Sequence, residues 1–184
     1  MNKAVLAAIS LAVFATISHA ANTSKAVPYS GQESREIKAL AAEDVENYLL
    51  GKGMGLAKAA ELNGYPGPSH VLALAGELRL SAEQQQRTEA LFKSMETRAR
   101  QIGRALVDEE RKLDQLFASK SITSETLTQS LKRMGELQAQ VRRAHLESHL
   151  AQAEILAPEQ VVAYMQLRGY GGMEKRAEYS GHKH

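Results

Sequence analysis

Apolar residues recur at every third or fourth position through most of the chain, which is the spacing of an amphipathic α-helix. The pattern is longest over residues 82–118, where the apolar ladder consists of Leu91, Met95, Ala99, Ile102, Leu106, Leu113 and Phe117. A second ladder over residues 125–155 consists of Leu127, Leu131, Met134, Gln138, Val141, His145 and His149. Only a short polar break separates them, with Thr123 or Ser124 as the next cap, so we expect antiparallel neighbours. No segment alternates as a strand would, and the pattern predicts an all-α fold built on a long antiparallel helical hairpin.

Shorter helical patterns lie on both sides of this hairpin. Before it, the spacing predicts helices over residues 33–50, 56–62 and 70–79, the last capped by Ser69 after a turn rich in Pro and Gly. After it, residues 158–167 predict a short C-terminal helix. We therefore expect one helical domain at residues 33–170 with N-terminal hook helices, a flexible lead at residues 21–32 and a mobile polar tail at residues 171–184.

Two glycines, Gly103 and Gly135, stand inside the long helical patterns. A glycine in a helix interior costs about 1 kcal/mol relative to alanine. Folding the hairpin about residue 121 places Gly103 near Ala139 and Gly135 near Leu106 or Val107. Two explanations are open: a close approach of two backbones, or a kink that curves the hairpin.

The first twenty residues have the pattern of a secretory signal peptide. One positive charge at Lys3 is followed by an uncharged, mostly apolar run over residues 4–17 and by Ser18-His19-Ala20. Small residues at the first and third places predict cleavage after Ala20. The apolar run is shorter than the roughly 20 residues that span a bilayer, so an uncleaved anchor is the less favoured alternative. We expect export to a bacterial periplasm, with no stable membrane insertion.

Composition narrows the chemistry of the mature chain. The sequence has no cysteine, which excludes disulfides, thiolate metal sites and cysteine nucleophiles. A formal charge of +2 gives no indication of nucleic-acid binding. Asp108, Glu109 and Glu110 beside Arg111 and Lys112 are typical of a solvated, salt-bridged helix face. No catalytic constellation is visible, and we do not expect an enzyme.

A possible metal site begins with His145 and His149. Residues four apart on a helix share one face, so both imidazoles can reach one divalent transition metal ion such as Zn, Ni, Co or Cu. A third ligand must come from Glu147, from another helix or from a second subunit, and His70 is the candidate outside this helix. The alternative is that both histidines pack at a semi-polar interface. His182 and His184 in the tail are interpreted as exposed residues with incidental metal affinity.

A helix-start motif occurs twice. Leu80, Ser81 and Gln84 have the spacing of an apolar staple and a capping box. Leu156, Pro158 and Gln160 repeat it, with proline at the first helical position. In the second copy Ala157 replaces the capping hydroxyl, which predicts a cap weaker by about 1 kcal/mol. Each copy by itself is explained by helix capping alone.

The two copies together resemble the LTxxQ motif of the Spy/CpxP family of small periplasmic helical proteins. Further segments that look like a subgroup of this family lie at residues 53–57, 61–68, 145–150 and 167–170. The resemblance covers most of residues 33–170 and implies a hooked, four-helix hairpin that often dimerises into a cradle. The family includes refolding chaperones, stress-response modulators and heavy-metal sensors or zinc-binding relatives.

Two functions follow from this resemblance. The favoured function is an ATP-independent periplasmic chaperone or envelope-stress modulator that requires no cofactor. We expect a homodimer. Its expected partners are unfolded or envelope-stress proteins and a sensor kinase or anti-sigma system. Its expected client-binding surface consists of Met95, Ile102, Leu106, Met134 and Val141. The alternative is a periplasmic heavy-metal sensor or resistance accessory protein that binds Zn, Ni, Co or Cu through His70, His145 and His149.

Overall fold

The computed structural model describes residues 28–170, which contain α-helices and no β-strand. The helices are α1 (Ala42–Leu49), α2 (Lys58–Glu61), α3 (Pro68–Ala73), α4 (Ala82–Ala118), α5 (Ser124–Ile155) and α6 (Pro158–Leu167). The compact helical unit begins at Gln32, and residues 28–31 before it form turns. The all-α prediction is confirmed. Among residues 28–170, no helix combines the length and the apolar character needed to cross a membrane.

Several predictions concern parts of the chain that lie outside the described residues. These are the signal peptide at residues 1–20, most of the lead at residues 21–32 and the tail at residues 171–184 with His182 and His184.

Helices α4 and α5 form the predicted antiparallel hairpin. Helix α4 has 37 residues and begins at a complete capping box, in which Ser81 Oγ accepts the Gln84 N–H at 3.1 Å and Gln84 Oε1 accepts the Ser81 N–H at 3.0 Å. Helix α5 has 32 residues and is capped by Thr123, whose hydroxyl accepts the Thr126 N–H at 3.2 Å. The caps satisfy backbone donors that have no partner within the first helical turn, and so they define where each helix begins.

The prediction for the first helix is wrong in its extent. A helix was expected from residue 33, but turns continue to residue 40 and α1 begins at Ala42. Helix α4 holds this non-helical segment: Lys38 donates to Asp114 through its backbone N–H at 3.2 Å and through Nζ at 3.0 Å. Ile37 is buried beside these contacts. An ion pair to α4 and one buried apolar side chain therefore hold this segment, in place of the helix that the apolar spacing predicted.

The third short helix also differs from its prediction. It begins at Pro68 with Gly67 as the N-cap, not at His70 with Ser69 as the cap, and it ends at Ala73. Proline favours the first helical position because its φ is already helical and its missing N–H is not needed there. Residues 74–79 form turns, and Arg79 adopts a φ of 50°.

Two clusters of buried apolar side chains hold the helices together. One lies at the open end of the hairpin and consists of Val71, Leu78, Leu156 and Tyr164. The other lies within the hairpin and consists of Leu106, Met134 and Leu137, with Tyr48 of α1 packed against it. Full burial of one such side chain contributes roughly 1.5–3 kcal/mol.

The two helix-start motifs meet in the folded chain. The amide of Gln84 donates to Gln160 Oε1 at 2.7 Å, and the amide of Gln160 donates to Gln84 Oε1 at 3.1 Å. Each amide also donates to a backbone carbonyl, that of Ile155 or that of Leu78, at 3.0 Å. In the second motif the Ala157 N–H donates to Gln160 Oε1 at 2.9 Å, with no side-chain cap in return. The paired glutamines thus join the start of α4 to the start of α6.

Gly103 lies where α1 crosses α4. A Cβ at this position would lie 2.9 Å from the Tyr48 carbonyl carbon and closer still to its oxygen. Close backbone approach is therefore the reason for this glycine, but the neighbour is α1 and not the predicted Ala139 on α5. A Cβ at Gly135 would meet no atom of the described chain within 4 Å, so close approach does not explain that glycine.

Candidate metal centre

A cavity of about 350 Å³ lies where the loop after α1, helix α2, the start of α3 and the hairpin meet. All three histidines predicted as metal ligands line it: His70 from α3, and His145 and His149 from α5. Glu61 from α2 and Met95 from α4 line the same cavity. The folding of the short N-terminal helices onto the hairpin therefore brings His70 to the cavity that His145 and His149 line.

His145 is almost fully buried on the hairpin side of the cavity, with 5% of its surface exposed. Its Nε2 is buried and has no hydrogen-bond partner within the described chain. Burial, and then the nearby His149, lower the pKa of His145 below its ordinary value. The imidazole is therefore neutral at neutral pH, which is the form that binds metal ions.

His149 lies one turn further along α5 and is oriented by a backbone carbonyl. Its Nδ1 lies 2.7 Å from the Tyr65 carbonyl oxygen. A carbonyl only accepts, so Nδ1 carries the proton in the neutral ring and the lone pair is on Nε2. Metal-binding histidines commonly have this arrangement, in which a hydrogen bond to one ring nitrogen orients the other toward the ion.

Glu61 was not predicted as a site residue, yet its carboxylate is buried beside the cavity. The Tyr164 hydroxyl donates to Glu61 Oε1 at 2.6 Å, and Arg168 Nε lies 3.4 Å from the same oxygen. Burial and this contact with Glu61 raise the pKa of Tyr164, so the phenol remains a donor. The other oxygen, Oε2, is buried and has no hydrogen-bond partner within the described chain. One oxygen is thus held in place, whereas Oε2 has only a longer contact of 3.8 Å with His149 Nδ1 and keeps its lone pairs available to a ligand.

His70 lies at the rim of the cavity. Its Nδ1 lies 3.4 Å from Glu61 Oε1 and 3.3 Å from the Tyr164 hydroxyl, and 44% of its side chain is exposed. Glu147, which was the other candidate for a third ligand, is engaged elsewhere. It accepts from Arg143 at 2.5 Å and from Arg98 at 3.2 Å in exposed ion pairs.

Gly67 lies against the donor atoms of two cavity residues. A Cβ at this position would lie 3.1 Å from His149 Nε2 and 3.4 Å from Glu61 Oε2. These two atoms therefore face one common region beside the backbone of residue 67. Any larger residue there would crowd both donor atoms.

The residues around the cavity fit a heavy-metal ion by their chemistry. Imidazole nitrogens and carboxylate oxygens are the ligands that Zn²⁺ and its neighbours accept in proteins, and two such atoms here are buried without a partner. In the part of the chain that the structure describes, no three His, Asp or Glu side chains are already grouped to hold an ion. A three-ligand site made from these residues alone therefore requires one side chain to move, and half-exposed His70 is the least constrained.

Most of the side chains expected at the client-binding surface are buried. Met95, Leu106, Met134 and Val141 are each at most 8% exposed, and Ile102 is partly buried between α4 and α5. These side chains form the interior of the hairpin because the same apolar ladders that predict α4 and α5 also pack them together. Met95 in addition lines the histidine cavity.

The sequence was compared with models of known protein families. A family model described as heavy-metal resistance matches residues 54–163, which is more than half of the chain. The protein belongs to this heavy-metal resistance family. The matched residues include Glu61, Gly67 and the three histidines of the cavity. No curated protein and no solved structure matches the chain significantly.

Proposed function

We propose that this protein is an exported heavy-metal-binding protein of the bacterial periplasm, acting as a metal sensor or as an accessory to metal resistance. Its ligand is a transition metal ion such as Zn, Ni, Co or Cu, and the cavity lined by Glu61, His70, His145 and His149 takes it. Membership of the heavy-metal resistance family supports this function.

The observation that carries the proposal is a pair of buried donor atoms that have no hydrogen-bond partner within the described chain. Burying an unsatisfied polar group costs about 1–3 kcal/mol, and more if it is charged. Glu61 Oε2 and His145 Nε2 are both in this state, and both residues line one cavity. A bound cation would satisfy both atoms. The free-energy cost of burying them is already present in the metal-free protein, so metal binding does not have to add it.

The neighbours of Glu61 and His149 have positioning roles in this proposal. Tyr164 and Arg168 hold one oxygen of Glu61, and the Tyr65 carbonyl orients His149. Loss of such supporting contacts typically weakens metal binding by about 10–100-fold. Tyr164→Phe should therefore weaken binding without removing any ligand.

The test is calorimetric titration of the mature protein with Zn²⁺, Ni²⁺, Co²⁺ and Cu²⁺. We expect one site per chain in the wild type, its loss in His145→Ala/His149→Ala, and weaker binding in Glu61→Gln. The matched control is His182→Ala/His184→Ala, which removes the tail histidines and should leave the site intact. Unchanged binding in the double cavity variant would overturn the proposal.

A chaperone function has less support, because four of the five side chains expected at the client-binding surface are buried in the hairpin. The corresponding test is aggregation of a denatured client protein. We expect no suppression when the mature protein is present in several-fold excess. Clear suppression would restore the chaperone function and require a different client-binding surface.

A further inference from the structure

The cavity contains sulfur donors that the heavy-metal proposal above does not use. Met54 and Met95 both line it, together with His145. The chain has no cysteine, so methionine thioethers are its only soft ligands. Thioether sulfur favours Cu(I) and similar soft ions, whereas imidazole and carboxylate groups suit borderline divalent ions.

Met54 is placed by a loop that packs directly over His145. The residue has a φ of 44°, a left-handed conformation that is uncommon for a residue with a side chain. Backbone hydrogen bonds from Leu56 to Gly53 at 2.7 Å and from Lys58 to Gly55 at 3.2 Å close the loop around it. A Cβ on Gly53 would lie 3.9 Å from His145 Nδ1, so the imidazole lies beneath this loop. Met54 itself is 38% exposed, at the mouth of the cavity.

Met95 lines the cavity from a different element of the fold, helix α4. It projects from α4 and is 8% exposed, and His145 is on the neighbouring helix α5. Two methionines and a histidine with an unpartnered ring nitrogen therefore line the same cavity, from the loop, from α4 and from α5. This set contains one borderline and two soft donors.

Two fixed cations at the cavity reduce the electrostatic advantage that an ion of higher charge would gain from Glu61. Lys58 lines the cavity, and Arg168 already offsets the carboxylate of Glu61 at 3.4 Å. Coulomb repulsion from a fixed cation grows in proportion to the charge of the bound ion, so a monovalent ion is penalised half as much as a divalent one.

We propose that the cavity takes a soft monovalent cation, Cu(I) or Ag(I), through the thioethers of Met54 and Met95 and the Nε2 of His145. This inference rests on the proposed function, since it concerns the same cavity. The inference differs from the proposed function in the class of the ion and in most of the ligands. His145 is common to both, whereas Glu61 and His149 are not required for the soft ion.

The test uses Cu(I) under anaerobic conditions, in competition with the chromophoric chelator bicinchoninate, and Ag(I) as a redox-inert probe. We expect Met54→Leu/Met95→Leu to weaken Cu(I) and Ag(I) binding by at least about tenfold, because losing a ligand costs no less than losing a group that only orients one. Zn²⁺ affinity should remain unchanged in that variant. Leucine conserves the side-chain volume, so folding should be retained and is checked by thermal unfolding.

The matched control is Glu61→Gln/His149→Ala, which should weaken Zn²⁺ binding and leave Cu(I) binding within about threefold, the scatter expected for indirect effects. X-ray absorption at the copper edge should show sulfur scattering in the wild type and none in the methionine variant. Equal Cu(I) affinity of wild type and methionine variant, or an absence of sulfur scattering, would overturn the inference while leaving the divalent site standing. An absence of binding by any of these ions would overturn both proposals.

Discussion

Alanine substitution of the two glycines inside the hairpin should change stability in opposite directions. Gly103 and Gly135 lie in the interiors of α4 and α5, where the local gain from replacing glycine by alanine is the same. Only their surroundings differ. A methyl group at position 103 would meet the backbone of Tyr48, whereas one at position 135 would meet no atom within 4 Å.

The magnitude follows from the contact distance. Non-bonded carbon atoms prefer a separation of about 3.5–4.0 Å. The methyl carbon at position 103 would lie 2.9 Å from the Tyr48 carbonyl carbon, and backbone atoms cannot rotate away as the end of a side chain can. Overpacking of this kind costs about 1–3 kcal/mol, and the alanine propensity returns about 1 kcal/mol. We expect Gly103→Ala to lower the free energy of unfolding by up to about 2 kcal/mol and Gly135→Ala to raise it by up to about 1 kcal/mol.

The measurement is urea unfolding of the metal-free mature protein, followed by far-UV circular dichroism. Amide hydrogen exchange adds a local readout, because α1 must withdraw from α4 in Gly103→Ala and its protection should fall. In Gly135→Ala the exchange of α1 should not change. Stabilisation by both substitutions to a similar extent would refute the assigned contact between α1 and α4.

Three further predictions concern the cavity and the paired motifs. Gly67→Ala should weaken Zn²⁺ binding at least about tenfold in calorimetry, because the new methyl group crowds His149 Nε2 and Glu61 Oε2; wild-type affinity would contradict the assigned donors. Gln84→Ala and Gln160→Ala should show a coupling of about 1–2 kcal/mol in a double-mutant cycle of urea unfolding, and simple additivity would mean that the reciprocal amide pair contributes nothing. The lowered pKa of His145 predicts that the metal-free protein loses stability as the pH falls below about 6.5, because the unfolded chain takes up the proton first. In urea unfolding between about pH 7.5 and 5.5, across the ordinary histidine pKa, His145→Phe should show a shallower pH dependence than wild type, and an equal slope would contradict the assignment.

The long helices and their starts could be predicted because they depend on neighbours in the sequence. Helix α4 has its predicted bounds, and the capping box at Ser81 and Gln84 is present with both hydrogen bonds. The first helix was predicted too long because its start depends on a contact between residues that are distant in the sequence. The segment before Ala42 is held by Lys38 on Asp114, a residue 76 positions away, and apolar spacing contains no information about such a contact.

The candidate site also has one part that could be predicted from neighbouring residues and one part that depends on tertiary packing. The four-residue spacing of His145 and His149 predicts two imidazoles on one helix face, and this is a local property of α5. Glu61 is a single acidic residue in a four-residue helix, and only its burial against Tyr164 distinguishes it from a solvated glutamate. The one available signal was its presence in a segment that resembles a known family, which does not identify the carboxylate as a ligand.

The sequence by itself therefore determined the all-α class, the hairpin and the positions of its caps, because periodicity and capping are interactions between residues a few positions apart. Tertiary structure alone decided that Gly103 faces α1, that four of the five client-surface candidates are buried, and that Glu61, His70 and Met54 share a cavity with His145. Those relations depend on which helix faces pack against one another. That choice is made by the burial of apolar surface over the whole domain, which no local stretch of sequence encodes.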